Sequence, residues 1–172
     1  MAASHSAEDV SPLMAVLRER WVLTLATIAG PGDSDREPGV PHATPLFYAV
    51  AAGPRLVFAS RPDSGHGRDL GAGPTRVAAG LYLESEDVSG LRGVQLRGEV
   101  APLDRWPAPA QAELRAAYLA RHPGAAALLG PGARDRLYGL AICWAKLTDN
   151  RRGFGHKQEW RFAAPDWDVK KV

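Results

Sequence analysis

The sequence predicts one predominantly β domain with short helices, its antiparallel sheet closed into a barrel, and three observations carry that class. Six or seven apolar segments rich in β-branched and aromatic residues are separated by Gly-, Pro- and Asp-rich turns. Helical pattern is confined to the N-terminus, one short glycine-flanked stretch and one alanine-rich insertion. The 172 residues suffice for one well-buried core and are short for two. Closing such a sheet removes its adhesive edges, so a barrel is preferred over a two-sheet sandwich. The whole chain, 1–172, is read as a single domain with an N-terminal helix inside 1–20 and an inserted helical segment at 107–129.

The elements follow in order. "AEDVSPLMAVLRERW" reads as a helix, with Asp9 or Ser11 as cap, Pro12 in the first turn and an apolar stripe of Leu13, Val16 and Leu17. "WVLTLATIA" is a strand that stops at the polar loop "GPGDSDREPG". "HATPLFYAV" and "RLVFAS", four residues apart, form an antiparallel hairpin. In "SRPDSGHGRDLGAGP" a short helix is expected from His66 to Leu70, ended by glycines. "TRVAAGLYLE" resumes strand character. In "LRGVQLRGEVAPL", Leu91, Val94, Leu96 and Val100 mix with Arg92, Gln95, Arg97 and Glu99. The alanine-rich helix begins after Pro109 and is interrupted before Pro123. "RLYGLAICWAKLT" and "QEWRFAA" close the sheet.

Composition excludes several classes of function. A formal net charge of +2 without any dense Lys/Arg block does not describe a nucleic-acid binder. No apolar run approaches the length of a membrane span, and "MAASHSAEDV" lacks the basic and apolar regions of a signal peptide, so a cytoplasmic protein is expected. Cys143 is the one cysteine; it lies in an apolar run and reads as a buried structural thiol. The five histidines show no metal-ligand spacing, and no nucleophile elbow or P-loop is present. Asp104, Glu113 and Asp135 read as solvated charges. If the chain is an enzyme, a cofactor carries the chemistry.

Three stretches combine polar chemistry with glycine. "ASRPDSGHGRDL" gathers Ser60, Arg61, Ser64, His66 and Arg68 after a strand, donors suited to a phosphate; the same residue types also make an ordinary surface loop. "LRGVQLRGEV" is either an edge strand with a charged face or a strand whose Gly93 and Gly98 admit a close neighbour. "LTDNRRGFGHKQEW" is a hairpin tip at Arg151 and Arg152, or the rim of a site at "GFGHKQEW".

The strings "RGVQ-x-x-GE" and "TDN-x-x-GFG", with their spacing from "VLTLATIAG", resemble the YhbP-like family of the pyridoxamine 5′-phosphate oxidase-like, FMN-binding split-barrel superfamily. The resemblance runs from about Trp21 to Phe162. It implies a six-stranded antiparallel split barrel, a homodimer, and a flavin-dependent oxidoreductase holding FMN in a groove at the subunit interface. Ala43, Thr44 and Pro45 would line the isoalloxazine ring, and Gln95 would run beside it. Ser60 would hold the phosphate, with Ser64 and His66 on the following turn. Trp160 and Phe154 fall in the tail motif. Two departures stand out: Asp63 lies near the expected phosphate-binding cation, for which Arg61 or Arg68 would compensate, and His156 stands where relatives carry lysine. Haem is the alternative cofactor, with His156 or His66 as its ligand and Arg151, Arg152 or Arg61 on its propionates. A binding barrel without catalysis is the third reading. The small-molecule substrate is not named by any residue.

Overall fold

The structure, a computed structural model, describes residues 10–30, 36–130 and 132–163. Its elements are α1 (Ser11–Glu19), β1 (Val22–Ile28), β2 (Pro41–Val50), β3 (Arg55–Ser60), α2 (Gly65–Leu70), β4 (Thr75–Leu83), β5 (Arg92–Pro102), α3 (Ala108–Arg121), β6 (Arg136–Asp149) and β7 (Lys157–Arg161). Strand order is β3-β2-β1-β4-β5-β6-β7, and an added β3–β6 pairing closes the first six into a ring. Every pairing in it is antiparallel. The expected split barrel is therefore the fold.

Alternation along the strands fills the barrel. Leu23 and Leu25 of β1, Leu81 of β4, and Val94 and Leu96 of β5 point inward and are almost fully buried. Helix α1 lays Leu13, Met14, Val16 and Leu17 into the same core. The fully buried Tyr48 hydroxyl donates to the Leu17 carbonyl at 2.6 Å, tying β2 to the last turn of α1. Helix α3 covers the outside of β2, β3 and β6 through a second apolar layer that includes Val57, Trp106, Leu114, Tyr118 and Leu137. That layer explains why the first half of β6 is buried on both faces and does not alternate.

Strand β6 serves two partners. Residues 136–141 pair with β3 and close the barrel, while Trp144–Thr148 pair with β7. Between them the register slips: Arg97 faces Trp144 and Gly98 faces Ile142, leaving Cys143 as the extra residue of a bulge. Gly98 is required there, because a Cβ would lie 2.1 Å from the Ala141 carbonyl oxygen.

Several expectations are corrected in detail. Val10 caps α1 with no side-chain bond, so Ser11 is the first helical residue instead; Asp9 lies outside the described residues. Helix α3 starts at Ala108 and carries Pro109 in its first turn, where no N–H is needed. Cys143 is half-buried rather than buried, because the bulge turns it out of the core and its thiol donates to the Arg97 carbonyl at 3.4 Å. Strand β5 lies between β4 and β6, so it is not an edge. In the tail stretch, Gly153 and Gly155 are set by backbone conformation. A Cβ at either would meet nothing within 4 Å, and both are glycine because φ is +126° and +73°.

Candidate functional site

The split in the barrel builds the site. Strand β3 pairs with β2 only along Tyr48–Val50, so Pro41–Phe47 of β2 lie beyond that pairing. The chain leaves β3 at Ser60 and returns as α2 beside the end of β1. Ser64 starts that short helix, its Oγ accepting from Gly67 N at 3.1 Å. This turn brings Ser60 Oγ to 2.5 Å from His66 Nε2 and 3.2 Å from Ser64 Oγ. Ser60 and His66 are both buried. His42 of β2 approaches from the other side: a methyl group added at Gly65 would sit 3.8 Å from its Nε2.

A second layer fixes the first. Asp69, one turn after His66, accepts from Thr27 Oγ1 at 2.6 Å and from Arg36 at 2.6 and 3.0 Å. Arg36 also donates to the Gly65 carbonyl at 2.9 Å. Burial pushes the Asp69 carboxyl up, but the Arg36 and Thr27 hydrogen bonds more than reverse this and hold it below the usual carboxylate range. Burial pushes the His66 imidazole below its ordinary value; His42 and Arg36 add to that, and Asp69 opposes it. Arg61 pairs with Asp63 on the surface, and Arg68, exposed, donates to the Asp63 carbonyl at 2.8 Å.

The expected site residues fall in three groups. Ser60, Ser64 and His66 converge, with Arg61 and Arg68 at the periphery. Ala43, Pro45 and Gln95 lie on the outer barrel wall, whereas Thr44 faces inward opposite the buried Leu25. Pro45, Thr24, Gly80 and Gln95 form one cross-strand row, so Pro45 and Gln95 are about 14 Å apart, three strand spacings. His156 and Trp160 form the third group, at the barrel end where β5 begins. There Asn150 clamps the tail: its Nδ2 donates to the Val88 carbonyl at 2.7 Å and its Oδ1 accepts from Gly155 N at 2.9 Å. Trp160 is buried in the barrel core, and His156 Nε2 is buried without a hydrogen-bond partner among the described residues. Arg151 pairs with Asp149 at 3.0 Å, and Phe154 at the tip is 88% exposed.

Sequence reasoning missed Arg36, His42, Thr27 and Asp69. The readable signal was a polar run, His42 and Thr44, at inward positions of a strand whose later inward residues are apolar.

No protein-family model matches the chain. The UPF0306 protein YhbP of Salmonella paratyphi C is 31% identical over 114 residues, which cover 66% of this chain and 72% of that protein. The chain belongs to the UPF0306 (YhbP) family. Among solved structures it is similar to a haem-binding protein from Mycobacterium smegmatis (TM-score 0.68, 22% identity), covering 93% of this chain and 60% of that one. It is likewise similar to a FAD-binding protein from Mesorhizobium loti (TM-score 0.57, 20% identity), covering 83% of this chain and 94% of that one. These likenesses establish the split-barrel fold.

Proposed function

We propose that the chain is an FMN-binding oxidoreductase of the pyridoxamine 5′-phosphate oxidase-like superfamily, active as a homodimer. The observation that carries this is the convergence of Ser60, Ser64, His66 and His42 beside the split, where the neighbouring carboxylates Asp63 and Asp69 are already paired with arginines. Such a cluster suits a phosphate: hydroxyl and imidazole groups can donate to it, and the described carboxylates Asp63 and Asp69 are each paired with an arginine. Ser60, Ser64 and His66 would hold the phosphate, and the β2 backbone at Ala43–Pro45 would orient the ring. FMN, when bound, supplies hydride or electron transfer; the chain positions it. The visible spectrum of freshly purified protein tests the reading. A flavin spectrum, native or after adding FMN, is expected; a colourless protein that leaves added FMN unbound refutes it.

A second reading, haem binding, is favoured by the buried Nε2 of His156, which has no hydrogen-bond partner among the described residues. The haem-binding protein among the similar structures adds to it. Reconstitution with haem should then give a Soret band that His156→Ala shifts or abolishes; an unchanged band removes His156 as the ligand.

A further inference from the structure

We infer that the Ser60–His66 site binds a phosphate monoester together with a proton, so that His66 becomes a cation only in the loaded site. This rests on the flavin reading above. The arginines around the site are committed elsewhere. Arg36 forks onto Asp69 and holds the Gly65 carbonyl. Arg61 is locked to Asp63. Arg68 lies two residues beyond His66, about 200° around the helix, and reaches the Asp63 carbonyl. The two arginine–aspartate pairs are each neutral as units. The group in contact with the serine hydroxyls is imidazole, His66 Nε2 at 2.5 Å from Ser60 Oγ and 3.4 Å from Ser64 Oγ, while Arg36, paired with Asp69, and His42 both stand behind Gly65.

Among the described residues, the charged and titratable groups facing His66 are His42 from β2, Asp69 from its own helix and Arg36 from the β1–β2 loop. Among the described residues only Asp69 favours the imidazolium, and its carboxylate is shared by Arg36 and Thr27. In the empty site His66 is therefore held neutral near neutral pH. A phosphate dianion placed against Nε2 reverses the balance, because it supplies an acceptor and two negative charges at hydrogen-bond range. Proton uptake and anion binding are then linked, each strengthening the other by the same factor.

Calorimetric titration of the full chain with FMN, at about pH 7.5 in two buffers of different ionisation enthalpy, reads the proton directly. At that pH the phosphate of free FMN is already largely a dianion. The native chain should take up about one proton per FMN, and its affinity should weaken by up to about tenfold per pH unit above neutrality. His66→Lys supplies a permanent cation; it should bind FMN with no proton uptake and a flat profile over the same range. FMN binding to the native chain without proton uptake, or uptake that persists in His66→Lys, overturns the inference while leaving the flavin reading intact. Failure of FMN to bind the native chain at any pH overturns both.

Discussion

At the scale of single residues, the site depends on a carboxylate that does not belong to its inner surface. The Asp69 side chain is only 1% exposed and holds Arg36 and Thr27 in place. Replacing it with asparagine removes the carboxylate charge onto which Arg36 forks, which should cost about 3 kcal/mol of unfolding free energy at neutral pH. The folded carboxyl titrates below its unfolded value near 3.9, so the stabilisation is complete above about pH 4 and lost as pH falls through the folded value. Denaturation curves at neutral and strongly acidic pH should show the Asp69→Asn deficit shrinking on acidification; a constant deficit would exclude the ionic contribution. Ser60, Ser64 and His66 were legible because they lie within seven residues of sequence. Arg36 and Thr27 were not, since 33 and 42 residues separate them from Asp69 and only packing brings them together.

At the scale of elements, the barrel strands were legible from alternation, and the errors came where packing or a bulge interrupts it. Cys143 sits in a run apolar enough to imply burial on both faces, yet the register slip beside Gly98 turns it outward. Nothing local in "AICWAK" announces the slip; its cause is the extra residue on β6 relative to β5. Gly98→Ala would set a Cβ 2.1 Å from the Ala141 oxygen and 2.8 Å from Leu140 Cδ1. Because the nearest atom is backbone, β6 must move. A loss of about 2 kcal/mol or more is expected in thermal or denaturant unfolding. A neutral substitution would show that the bulge is plastic.

At the scale of the whole molecule, one face of the barrel is not finished as a solvent surface. Outward positions of β1, β2 and β4 carry Val22, Ile28, Phe47 and Tyr82, each at least 41% exposed, among the small residues Ala26, Ala43, Pro45, Ala78 and Gly80. A solvated antiparallel face would alternate to polar residues here, and a patch this broad on a lone subunit marks an association surface. This wall is our choice for the homodimer contact. Light scattering should find a dimer for the native chain and a monomer with weakened FMN binding for Phe47→Glu/Tyr82→Glu; a native monomer would refute the contact. The fold class and closed ring were readable from strand count and spacing, whereas this wall emerged only once register showed which residues share a face. The ring has a last consequence, for aggregation. Among the described strands each of the first six has a neighbour on both sides along at least part of its length, whereas β7 pairs only with β6 and presents a backbone edge guarded by Lys157, Glu159 and Arg161. A chain cut before Lys157 would hand that edge to the Ala145–Leu147 stretch of β6, which offers a single lysine as gatekeeper.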